Sequence, residues 1–161
     1  MPRRRITRRR LDRWLRGKLD TTGLLGLSAD DRAELAWQAH QRFEAGELDQ
    51  AARIFGLLAH LAPPNDVTGA LGLAVCLQAQ GSLDEAERGY ESVLAADPEN
   101  LFALTNRAEV RLLIGRLEEA RADLAAASAI LDRGGPADLR PRIERLKAHA
   151  EMVAAASNPG R

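Results

Sequence analysis

The chain has 161 residues, 45% of them apolar, and its 23 basic side chains are matched by 23 acidic ones. That length suits one domain or a short repeat array with a sizeable core, and no apolar stretch approaches the roughly 20 residues that cross a bilayer. With no apolar block of a signal peptide at its start and Cys76 its only cysteine, the chain is expected to work in the cytoplasm without a disulfide.

Abundant Ala, Leu, Glu and Arg, with few β-branched runs and seven prolines, predict an all-α fold. The balanced charge hides an asymmetry. Residues 1–18 carry nine basic side chains and one acidic one, Asp12, so that this arm is +8 and the remainder is −8.

Residues 1–28 read as a basic arm. Leu11, Trp14, Leu15 and Leu19 keep helical spacing, so residues 9–19 are expected to form a short amphipathic helix, with "TTGLLG" following as a hinge. Four uses are open to such an arm. It could dock on the acidic body or pair with a second copy, Leu11, Trp14 and Leu15 then being the dimer contacts; it could touch nucleic acid or an anionic membrane; or it could stay solvated. Docking or dimer formation is favoured by the opposite charge of the body and by Trp14, and a nucleic-acid partner is not favoured.

Ser28 and Asp31 form a capping signal that starts the first helix of the array near Ala29. From there the sequence repeats. "GELDQAARIF", "GSLDEAERGY" and "GRLEEARADL" begin at Gly46, Gly81 and Gly115, each with a Leu two residues on. Ala51, Ala86 or Ala120 stands five residues after each Gly, and Ala39, Ala74 or Ala108 seven before it. The pattern predicts a helix, a turn at the Gly, and a second helix that crosses the first where only a small residue fits. Phe55, Tyr90 and Leu124, four residues beyond the second Ala, lie on the same helix face above the crossing. Pro63 and Pro98 are expected to stop the second helices, and the stop of the third unit is displaced to Pro136. Ser82 and Glu85 repeat the capping signal at the second helix of the middle unit. Gln38 and Arg107 interrupt an otherwise apolar pattern next to the first small position, so the pattern alone does not fix the helix packing of the first and third units. The closing stretch places Leu139, Ile143, Leu146 and Ala150 on one stripe, which predicts a capping helix over the last repeat.

A unit of about 34 residues with this skeleton resembles the tetratricopeptide repeat, a helix pair that stacks into a right-handed superhelix. The organisation expected is therefore an arm over 1–28, three repeats over 29–135 (about 32–65, 67–100 and 101–134), and a capping helix with tail over 136–161. In such a stack the first helix of each pair lines the concave side. Its second, fifth, ninth and twelfth positions hold Ala33, Ala36, His40 and Phe43, then Thr68, Leu71, Val75 and Gln78, then Phe102, Thr105, Glu109 and Leu112. Repeat domains that capture the terminal carboxylate of heat-shock chaperones present Lys and Asn at the fifth and ninth positions, and this chain has neither there. A mostly apolar groove instead suits an extended or helical segment whose hydrophobic side chains enter pockets. The competing account makes Leu71, Val75 and Leu112 core between repeats.

No catalytic set is present. His40, His60 and His149 lack metal-ligand spacing, Cys76 lies among apolar neighbours, and "GALGLA" at 69–74 has no strand before it, as a dinucleotide loop requires. No metal, cofactor or enzymatic activity is expected.

The stretches 43–63 and 69–127 together resemble the class II chaperones of type III secretion systems, the SycD/LcrH-like family. The resemblance covers 29–155. It implies a cytoplasmic bacterial protein, dimeric through its N-terminal region, that holds a hydrophobic pore-forming translocator soluble by an extended peptide in the concave groove, with Phe43, Leu71, Val75, Phe102 and Leu112 forming the pockets. The alternative is a repeat adaptor that scaffolds a secretion, pilus or other assembly.

Overall fold

The computed structural model describes residues 28–63 and 65–157, together with Arg13 and Arg16. Leu11, Trp14, Leu15 and Leu19, and with them the expected arm helix, lie outside the described residues. Among the described residues the elements are all helical: α1 (Ala29–Glu44), α2 (Leu48–Leu61), α3 (Thr68–Ala79), α4 (Leu83–Ala96), α5 (Leu101–Leu113), α6 (Leu117–Asp132), a 3-10 turn (Ala137–Leu139) and α7 (Arg140–Ser157). Two compact units divide inside α3, one ending at Cys76 and the other beginning at Leu77.

Each turn within a helix pair is built on one glycine. Gly46, Gly81 and Gly115 take φ of 78°, 79° and 79°, the left-handed region that a Cβ opposes. The amide after each then donates to a carbonyl five residues back: Glu47 to Arg42 (2.8 Å), Ser82 to Leu77 (2.9 Å) and Arg116 to Arg111 (2.7 Å). The fourth copy of this turn was not expected. Gly134 has φ 102° and Gly135 donates to Ile130 at 3.1 Å, so α6 is ended by a glycine turn, and Pro136 only follows it.

Unit by unit, the small positions do what a close crossing needs. In the first, Ala39 and Ala51 are fully buried beside Phe55, Leu58 and Cys76, with Leu35, Phe43 and Leu73 packed against them. In the second, Ala86, Ala108, Ala120 and Tyr90 have no exposed surface and Leu124 has 1%. The closing stripe folds inward as its spacing predicts, with Leu139, Ile143 and Ala150 buried and Leu146 half-buried.

The capping signals divide. At Ser28 both bonds of a capping box form: the Asp31 amide donates to Ser28 Oγ at 3.1 Å and the Ser28 amide to Asp31 Oδ2 at 2.7 Å. Ser82 precedes α4 but its hydroxyl makes no capping bond, because the glycine turn already fixes the entry of the chain. An unanticipated cap stands at Asn100, whose side-chain oxygen accepts from the Ala103 amide at 3.0 Å.

In the third repeat Arg107 is taken up by a partner. Its guanidinium donates twice to Asp123, at 2.9 and 2.7 Å, so a paired charge stands where an apolar residue was expected.

Candidate functional site

In the first unit the predicted face is carried by α1 and the start of α3. His40 is exposed, while Ala36, Phe43, Leu71 and Val75 are half-buried. Phe43 is partly committed, since it packs against the buried cluster of Ala39, Ala51 and Phe55. Beside Ala33 and Ala36 opens a cleft of about 430 Å³, floored by Leu58 and Gly69, with Arg32 and Asp66 3.7 Å apart in its wall. The "GALGLA" glycines explain how α3 comes so near α2. A Cβ on Gly69 would fall 2.2 Å from the Ala59 nitrogen, and one on Gly72 2.4 Å from the Phe55 ring. Their function is close approach of helices.

In the second unit α5 supplies Phe102, Thr105, Glu109 and Leu112 on one row, and α3 supplies Gln78. Phe102 is 49% exposed, a large apolar side chain left in water. Leu112 is half-buried. Thr105 departs from the expected lining: it is fully buried, and its hydroxyl donates to the Leu101 carbonyl at 2.7 Å. Such a hydroxyl offers nothing to a ligand.

Gln78 and Glu109 are joined in a polar row. The Tyr90 hydroxyl donates to Gln78 Oε1 (2.6 Å), Gln78 Nε2 to Glu109 Oε2 (3.1 Å), and Arg142 of α7 to the same Glu109 oxygen (2.6 Å). Helices α3, α5 and α7 thereby meet at one carboxylate, and α4 joins them through the Tyr90–Gln78 bond.

A second polar cluster, which sequence reasoning missed, lies deeper. Arg111 donates to Glu87 at 2.8 Å and to Asp123 at 2.9 Å, and Arg116 reaches Glu87 at 2.9 Å. Glu87 and Asp123 are each 4% exposed. Burial alone would raise the Glu87 carboxyl, but the hydrogen bond from Arg111 and the charges of Arg116 and Arg111 outweigh it and hold the carboxyl below its ordinary value. One signal was available: Arg107 and Arg111 stand four apart on α5, a repulsive pair unless anions lie against both. The cluster ties α4, α5 and α6 together and leaves little of its carboxylates open.

Cys76 is fully buried, and burial pushes its thiol up to about 11, the wrong direction for a nucleophile. Among the described residues no group of three or more His, Cys, Asp or Glu could hold a metal ion, and no helix is long and apolar enough to cross a membrane. Asp84, Glu85, Glu118 and Glu119 occupy the exposed first turns of α4 and α6, where they suit the positive end of the helix dipole.

The turns, small crossings and helix pairs define a helical-repeat protein, and residues 42–107 match the tetratricopeptide-repeat family model. The matched stretch is thus similar to tetratricopeptide repeats, and the fold of the chain is that of the class II translocator chaperones of type III secretion. It is similar to Yersinia enterocolitica SycD, solved with a peptide of the translocator YopD, at TM-score 0.72 and 25% identity over 80% of this chain and 98% of that one. Similar too is Pseudomonas aeruginosa PcrH, solved with the chaperone-binding region of PopD, at TM-score 0.72 and 27% identity over 82% and 97%. A curated relative, the human FK506-binding protein-like, is 32% identical over 126 residues, 74% of this chain and 34% of its own. The chain spans between 8% and 34% of the curated relatives that it matches.

Proposed function

We propose that the chain is a non-enzymatic chaperone of the bacterial cytoplasm that holds a hydrophobic secreted protein of the translocator type through a peptide laid along its first-helix faces. The observation that carries this reading is Phe102, half in water on the same row of α5 as Leu112, in a fold whose solved relatives SycD and PcrH hold translocator peptides. A cargo with membrane-seeking segments aggregates when free. Burying its anchor side chains contributes about 25 cal/mol per Å² and draws it away from self-association, with no bond made or broken.

Ala36, His40, Phe43, Leu71 and Val75 are the proposed peptide contacts of the first unit, and Gln78, Phe102, Glu109 and Leu112 those of the second. Thr105 acts only from beneath. Residues 1–28 are proposed as a separate arm, with Leu11, Trp14 and Leu15 as contacts to a second copy. Deleting residues 1–27 then leaves a species of one chain mass in sedimentation, and a truncated species of two chain masses removes the arm as the dimer contact.

The test of function is capture from native cells by the wild-type protein and by Phe102→Asp with Leu71→Asp, helical content being checked by circular dichroism. Loss of one stoichiometric, secreted partner with unchanged helicity supports the reading. Equal capture by both forms removes the faces from it, and recovery of apparatus components alone favours a repeat adaptor.

A further inference from the structure

The polar row of the second unit has capacity to spare. Glu109 Oε2 receives both Gln78 and Arg142, whereas Glu109 Oε1 and the remaining guanidinium donors of Arg142 make no hydrogen bond to any described residue. Both side chains are about one-third exposed, 36% and 33%. An acceptor and a set of donors thus stand side by side at the surface, and the carboxylate is held from behind by Gln78, which is itself bonded to the Tyr90 hydroxyl at 2.6 Å.

We propose that Glu109 and Arg142 form a main-chain clamp that takes the N–H and C=O of a single residue of an extended peptide. This rests on the reading of the first-helix faces as a peptide site. In an extended strand the N–H and C=O of one residue point to the same edge, as they do when two antiparallel residues exchange both bonds. The pair offers the complement, with the carboxylate accepting and the guanidinium donating. Placement on α5 agrees. Glu109 lies between Phe102 and Leu112, which stand about 15 Å apart along the helix, a span that about five extended residues cover. The apolar groups then select side chains, and the clamp sets register without reading sequence.

The test starts from short peptides selected on the full-length wild-type protein from a displayed random library. Each backbone amide of a selected peptide is N-methylated in turn, which removes one donor and keeps every side chain. The expected result is one internal position where N-methylation weakens binding about tenfold, with the effect lost in Glu109→Ala; Arg142→Ala weakens the parent peptide to a similar degree. If the pair merely links α5 to α7, Glu109→Ala weakens the parent and every N-methylated peptide by the same factor, and the sensitive position persists in the variant, which overturns the clamp. A flat N-methyl scan on the wild-type protein overturns the clamp even if neither variant folds. Failure to select any peptide overturns the peptide-site reading, and the clamp with it.

Discussion

The ring of Phe55 on α2 lies against the α-carbon of Gly72 on α3 so closely that a Cβ there would stand 2.4 Å from it. At Gly69 the obstacle is backbone, the Ala59 nitrogen at 2.2 Å. A ring can turn aside, but a helix backbone cannot without moving the whole crossing. Gly69→Ala is therefore expected to destabilise the protein more than Gly72→Ala. Overpacking costs about 1–3 kcal/mol, against up to about 1 kcal/mol that Ala contributes to a helix over Gly. Urea unfolding of the two variants measures the order, and a stabilised Gly69→Ala would mean that α3 does not approach α2 in this way.

Arg111 is 12% exposed and bonded to both buried carboxylates of its cluster, whereas Arg116 is 50% exposed and bonded to one. Removing one partner of a buried pair leaves an uncompensated charge and costs about 3–5 kcal/mol, while an exposed guanidinium contributes about 1 kcal/mol or less. Arg111→Ala is expected to lower the unfolding midpoint sharply and Arg116→Ala little. Equal, small effects would show that Glu87 and Asp123 reach water without Arg111.

A pH dependence follows from the same cluster. Burial opposes ionisation of Glu87, but the Arg111 hydrogen bond and the charges of Arg116 and Arg111 prevail, so the folded carboxyl sits below the ordinary 4.5. A group depressed in the folded state contributes stability that is present above 4.5 and is lost as the pH falls from there through the folded value. Unfolding free energy should thus decline with acid below that point, and Glu87→Gln should flatten part of the decline while lowering stability at neutral pH. An identical acid slope in the variant would assign the titration to other carboxylates.

The repeat was legible because it rests on residues with one physical use each. Gly46, Gly81 and Gly115 are needed at positive φ, Ala39 or Ala120 at crossings, and the three copies reinforce one another in register. The ion cluster was not legible, because Glu87 and Asp123 lie on amphipathic helices where a carboxylate reads as solvent-facing. Their burial is decided by a shared partner, Arg111, which is 24 residues from Glu87 and 12 from Asp123 along the chain. Thr105 escaped for a related reason, since position five of a first helix is shared between groove and core. Phe102 keeps about half its surface exposed while Thr105 keeps none, and only the packing around α5 makes that distinction.

Two serines with the same apparent signal should behave differently. Ser28 accepts from the Asp31 amide and is answered by the Asp31 carboxylate, so the box closes both ways. Ser82 lacks any capping bond, and the turn at Gly81 positions the first residues of α4 instead. A capping side chain typically contributes about 1 kcal/mol, so Ser28→Ala should speed amide hydrogen exchange in the first turn of α1 and leave α4 untouched. Ser82→Ala should change neither stability nor exchange in α4 measurably. If Ser82→Ala proves as costly as Ser28→Ala, the hydroxyl caps α4 in solution after all, and the glycine turn does not suffice to start the helix.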